Sequence, residues 1–159
     1  MAAAKGWDLS KFQAEDIYRM AITIEQGGFD FYNKIIDASD NQRVKNEMRF
    51  LRDEEGRHKA FFLKQLTDKG AAADKKIDPG LQKLLDSEFL TPLEDLYKGK
   101  KVGNNAEALR FGMDIEQKTV DFYSALKDRQ TDAAFGKDLD VIIDEERKHK
   151  QKLNIILAY

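Results

Sequence analysis

The chain predicts an all-α fold, a four-helix bundle of two helix hairpins joined by a long crossover that contains a short helix. Three observations carry this. Apolar residues recur at helical spacing over four long stretches. Both prolines, Pro79 and Pro92, fall between the second and third of those stretches. The sequence also repeats itself. Ile24-Glu25-Gln26 and Asp30-Phe31-Tyr32 return as Ile115-Glu116-Gln117 and Asp121-Phe122-Tyr123, and Glu55-x-x-His58 returns as Glu146-x-x-His149, all 91 residues later.

The elements follow in order. Residues 1–9 read as a flexible arm. Ser10 with Gln13 has the form of a capping box, and the first helix runs from about Lys11 to Ala38. Its core face is Ile17, Ala21, Ile24, Gly28, Phe31 and Ile35, with Tyr18, Ile22, Phe29, Tyr32 and Ile36 beside it. Gly27-Gly28 inside a helix costs roughly 1 kcal/mol per glycine, so close packing or room beside a cofactor is expected there. Ser39 with Gln42 reads as a second capping box. The second helix spans about Asn41 to Lys69, with Val44, Met48, Leu51, Glu55, His58, Phe62 and Leu66 on one face and Gly70 as its stop. The crossover occupies 70–103, with short helices expected at Leu81–Phe89 and Thr91–Leu96. Asn104, with Glu107, caps a third helix running to about Arg129; the fourth starts at Thr131 and runs to about Leu157.

Two consequences concern geometry. The first turn centres near Asp40, 15 residues from both Glu25 and Glu55, and the second near Thr131, 15 residues from both Glu116 and Glu146. Folding each hairpin therefore brings its two glutamates to one height, near mid-helix. The crossover is far longer than a tight bundle turn. It can traverse a helix length, so helices two and three should run parallel.

Composition narrows the function classes. The 159 residues suit one domain with a real core. Lys plus Arg number 27 against 29 Asp plus Glu, interspersed, with no basic stripe, so no nucleic-acid partner is expected. No apolar run has membrane-span length, and the first residues lack an apolar signal core, which points to a cytoplasmic protein without a membrane role. The chain holds no cysteine, which excludes disulfides, thiolate zinc sites, iron–sulfur centres and rubredoxin-type iron from it.

On a helix, residues three apart share a face, so each Glu-x-x-His presents a carboxylate and an imidazole together. The chain has only two histidines, and each closes one such motif. A lone Glu-x-x-His on a charged helix is most simply a solvated face. Two copies on apolar faces, each 30 residues after a lone glutamate, are not. Placed face to face, the hairpins converge Glu25, Glu55, His58, Glu116, Glu146 and His149. Four buried carboxylates repel one another unless cations neutralise them. Mixed oxygen and nitrogen donors suit two iron ions, with manganese or zinc possible in the same site. Asp53, Glu54, Asp144 and Glu145 read as neighbours of the ligands, one of them able to bond a ligating histidine. Tyr32 and Tyr123 sit two helical turns beyond Glu25 and Glu116 on the same face. They are either core residues with satisfied hydroxyls, or donors to a metal ligand, or redox-active phenols. Trp7, Phe61, Phe62 and Phe89 read as core or interface residues.

These residues resemble the ferritin-like superfamily and, most closely, its rubrerythrin-like diiron domain. The matching positions are Glu25, Glu55-Gly56-Arg57-His58, Glu116 and Glu146-Arg147-Lys148-His149, with Tyr32 and Tyr123 following. The resemblance implies a ferritin-like bundle, two iron ions per chain bridged by Glu55 and Glu146, and an oxidoreductase that reduces hydrogen peroxide or dioxygen. The chain departs from the family in two places. It lacks the cysteine-ligated rubredoxin-like domain, so electrons must come from an external donor such as a rubredoxin-like protein. Thr119 stands where rubrerythrins carry an extra Glu, and its counterpart is Gly28, leaving their carboxylate-for-histidine exchange without that Glu. Gly56 stands where bacterioferritins place a haem-binding Met, so no haem is expected. The same site would also serve ferritin-like iron oxidation and storage, a diiron hydroxylase with an apolar pocket, or a purely structural metal. The superfamily commonly forms dimers, and a homodimer is expected.

Overall fold

The computed structural model describes residues 8–72, 75–97 and 105–158. The arm before Asp8, Trp7, the capping Asn104 and the end of the crossover at Gly103 lie outside the described residues.

The first helix, α1, is Ala14–Ala38. Its start is set by Asp16, whose carboxylate accepts the Gln13 backbone N–H at 3.1 Å. Ser10 is not the cap: its backbone and hydroxyl both turn to Asp8, at 3.1 and 2.6 Å. A short acidic side chain captures the N–H two residues on more readily than a distant glutamine does. Leu9 is buried, so the described end of the expected arm is anchored in the core.

Helix α2 is Gln42–Asp68. Asn41 caps it, accepting the Val44 N–H at 3.0 Å, while Gln42 pairs with Asn46 along the helix. The expected Ser39 box gives way because Asn41 lies nearer the first turn; Ser39 accepts the Asn41 N–H instead. Gly70 ends α2 with a φ of 81°, and the Ala71 N–H reaches back to the Leu66 carbonyl at 3.3 Å, the left-handed stop that glycine permits.

The crossover is more helical than its sequence suggests. Helix α3, Pro79–Leu85, a π-helical turn, Asp86–Leu90, and α4, Thr91–Tyr97, run on as one rod. It begins at Pro79, not Leu81, because Pro79 needs no N–H partner in the first turn and Asp78 caps the Gly80 N–H at 2.8 Å. The wide turn sits just before Pro92, which cannot donate to the Glu88 carbonyl and whose ring would crowd it.

Helix α5 is Asn105–Arg129 and α6 is Ala133–Ala158. The cap of α6 is Asp132, one residue past the expected start, accepting the Phe135 N–H at 2.8 Å.

Cross-helix partners fix the directions. Arg52 with Asn33 and Lys59 with Gln26 make α1 and α2 antiparallel. Lys127 with Asp140 and Lys150 with Gln117 do the same for α5 and α6. Tyr32 meets Gly112, and Tyr123 meets Ala21, so α5 runs against α1 and hence parallel to α2, as the long crossover requires. All described elements are helical, and no described helix is long and apolar enough to cross a membrane.

The buried faces are the periodic ones. One end of the bundle is aromatic, where Tyr18 packs edge-on to Phe135 at 4.6 Å and Phe62 joins Tyr18 and Tyr123. Met48, Leu109 and Leu153 are buried toward the other end. Phe89 of the crossover packs on Phe122. The polar middle lies between these layers.

Candidate metal centre

Each long helix delivers its predicted residues to that middle layer. Helix α1 brings Glu25, α2 brings Glu55 and His58, α5 brings Glu116, and α6 brings Glu146 and His149. All six are buried, five at 2% exposure or less and His149 at 8%. Candidate donor atoms of Glu25, Glu55, His58 and Glu146 lie within 4.8 Å of one another, as do those of Glu116, Glu146 and His149. Glu146 belongs to both groups; Glu55 belongs to the first.

Several polar atoms in this layer lack hydrogen-bond partners. Glu25 Oε2, Glu116 Oε2, both Glu146 oxygens, His58 Nδ1 and His149 Nδ1 are buried without a hydrogen bond. His58 Nδ1 lies 2.8 Å from Glu146 Oε1, close enough for both atoms to serve one ion. An orphaned buried polar group costs about 1–3 kcal/mol, and more if charged. Several of them converging in one layer fit a cation site, and oxygen and nitrogen donors without thiolate fit iron.

With protein groups alone, protons must balance the charge. Burial, then the charges of Glu146 and Glu25, push the Glu55 carboxyl well above its ordinary range. Burial, together with Glu25, raises Glu146 to about 7. Burial alone would lower His58, but the flanking Glu146 and Glu25 carboxylates push it up to about 11. Burial, then the charge of His58, lowers His149. Burial opposes ionisation of Glu25, but Glu55, His58 and Tyr123 outweigh it and hold that carboxyl below its ordinary value.

Both tyrosines reach the site, each toward the opposite hairpin. The Tyr32 hydroxyl donates to Glu116 Oε1 at 2.5 Å, and the Tyr123 hydroxyl to Glu25 Oε1 at 2.8 Å. Burial pushes both phenols well above their ordinary range, so they are neutral donors. Thr119 turns away, donating to the Ile115 carbonyl of its own helix.

Outside the histidines lies an acidic pair braced by one guanidinium. Glu145 contacts His58 Nε2 at 2.6 Å, and Glu54 stands 3.5 Å from His149 Nε2. Arg57 binds Glu54 at 2.7 Å and Glu145 at 2.8 Å, tying α2 to α6. Asp53 and Asp144, the other acidic neighbours, pair with Arg52 and Lys148 instead. Arg57 has no expected role on the spacing of the Glu and His motifs alone. The available signal was the break in the repeat, where Arg57 is answered 91 residues later by Lys148.

The glycines near the site are filled by side chains. A Cβ on Gly28 would stand 3.2 Å from the Glu55 carboxyl, one on Gly27 would meet Leu90, and one on Gly112 would meet Leu153 and Met48.

The rubrerythrin family model matches residues 16–157. A hypothetical protein from Pyrococcus furiosus has the same fold, with a TM-score of 0.61 and 21% identity over 96% of this chain and 95% of that one. Comparison with curated proteins finds no match.

Proposed function

The chain belongs to the rubrerythrin family, and from that membership and its buried carboxylate–imidazole layer we propose a cytoplasmic diiron oxidoreductase that reduces hydrogen peroxide, in preference to dioxygen, with electrons from an external donor. The observation that carries this reading is the convergence of orphaned Glu and His atoms in one buried layer. Glu25, Glu55, His58 and Glu146 would hold one ion; Glu116, Glu146 and His149 would hold the other. Held there, a ferrous pair would supply the two electrons that, with two protons, convert one hydrogen peroxide to two waters.

The residues of the chain do the rest. Tyr32 and Tyr123 fix the rotamers of Glu116 and Glu25, and Glu145 and Glu54 orient the imidazoles. The aromatic and aliphatic layers on either side exclude bulk water and lower the local dielectric. Side chains of the site stand where a Cβ on Gly28 or Gly112 would go, so these glycines open no room between the helices there, which favours a small oxidant over a hydroxylase substrate. Without cysteine the chain has no thiolate relay, so re-reduction falls to a separate redox partner. The test is rapid mixing of anaerobic ferrous-loaded protein with peroxide and, separately, with oxygen-saturated buffer. The proposal expects oxidation to be faster with peroxide; equal or slower oxidation rejects it.

A further inference from the structure

The two halves of the site are not sealed alike. At the His58 end the imidazole has no exposure. Arg57 Nη2 stands 3.4 Å from its Nε2, and Glu145 closes over the same atom. At the His149 end the braces differ. Lys148, the counterpart of Arg57, turns to Asp144 at 3.0 Å and leaves the imidazole alone. His149 keeps a side-chain exposure of 10%, the largest among the six converging residues. What covers it is Phe50, edge-on with ring centroids 6.0 Å apart and 83° between planes. Phe50 is itself 42% exposed. Its outer side is held by the Lys152 ammonium, 4.1 Å from the ring centroid, which also stands 3.5 Å from Glu47. Beneath lies the stacked pair of imidazoles, centroids 6.0 Å apart. Glu54, 22% exposed, sets a carboxylate beside His149 at this point. Val141 is the counterpart of Phe50 in the other half, 91 residues on; it is 55% exposed and brings no aromatic ring.

We propose that the seam between α2 and α6 at His149 is the doorway through which a divalent cation reaches and leaves the centre, and that Phe50 is its movable cover. A half-exposed aromatic ring anchored by one cation–π contact is free to swing aside. At the other end the Glu145 carboxylate sits on His58 Nε2 beside the Arg57 guanidinium, so movement of one side chain alone does not bare the ring. A cation crossing the seam passes Glu54 first and His149 next. The inference rests on the metal-centre reading above.

The test compares Phe50→Ala, Phe50→Leu and Val141→Ala with the unaltered protein. Iron-loaded protein is challenged anaerobically with an excess of a small ferrous chelator, and metal-free protein is loaded with ferrous ion alone. Phe50→Ala should release and take up iron several-fold faster, with iron per chain and equilibrium affinity unchanged; Phe50→Leu should be intermediate and serves if the Ala variant does not fold. Val141→Ala should match the unaltered protein. Equal rates for all four overturn the doorway, as does acceleration by Val141→Ala. Faster release without faster uptake also overturns it, because Phe50 would then be a prop that raises affinity. If the unaltered protein binds no metal, the metal-centre reading itself fails.

Discussion

Tyr32 on α1 donates its hydroxyl to Glu116 on α5 at 2.5 Å, so a tyrosine of one hairpin positions a glutamate of the other. Tyr123 returns the arrangement to Glu25 at 2.8 Å. Each phenol also lies 3.3 Å from a backbone carbonyl of the helix it faces. The hairpins are therefore joined at the site by bonds to the very carboxylates that would hold metal.

Replacing Tyr32 with Phe removes the donor and leaves Glu116 Oε1 buried without it. Metal affinity should fall by about 10–100-fold, while the helical spectrum is retained. Competition with a chelator of known affinity measures the first and circular dichroism the second. Unchanged affinity would make Tyr32 a packing residue only.

Arg57 supports both histidines through Glu54 and Glu145, yet its side chain is 52% exposed. Exposed ion pairs contribute only about 0–1 kcal/mol to folding. Arg57→Gln should therefore lower metal affinity far more than it lowers the metal-free midpoint in urea. Equal losses would show that Arg57 is a general surface brace.

Gly28→Ala should separate helix stability from site geometry. The new methyl gains roughly 0.5–1 kcal/mol of helix propensity, but it stands 3.2 Å from the Glu55 carboxyl, which must shift. The metal-free variant should unfold at an equal or higher temperature, and it should bind iron more weakly. Tighter binding would remove Gly28 from any role beside Glu55.

The pH response follows from the raised groups. Glu146 moves from 4.5 to about 7, so the metal-free fold binds more protons than the unfolded chain and loses stability as pH rises through that interval. His58, raised from 6.5 to about 11, stabilises fully below 6.5 and loses that contribution as pH climbs toward 11. Metal requires deprotonated ligands, so loading should release protons and tighten with rising pH. Calorimetry in buffers of different ionisation enthalpy reads the proton release. Metal-free stability that increases from pH 5 to pH 8 would contradict the assignment of charge.

Helical periodicity and the 91-residue repeat made the bundle and the six converging residues legible, because both depend on spacing along single helices. The caps were displaced by a residue or a few. Asp8 diverted Ser10, Asn41 replaced Ser39 and Asp132 replaced Thr131, all through competition among neighbouring side chains for the same backbone groups. The continuity of the crossover rod was hidden by Pro92, which widens a turn there without ending the helix. The spacing of Tyr32 from Glu25 pointed along one helix, whereas its bond crosses to Glu116. The Arg57 brace and the Phe50 cover depend on how α2 and α6 face each other, and nothing in either helix alone encodes that pairing.

The central claim is that the buried Glu and His layer is a dinuclear metal centre. Counting metals per chain in iron-supplied protein, beside a Glu55→Ala, Glu146→Ala double variant, tests it most directly. About two iron atoms per chain, lost in the variant, is the predicted result. No bound metal, or metal that survives the double replacement, would contradict it.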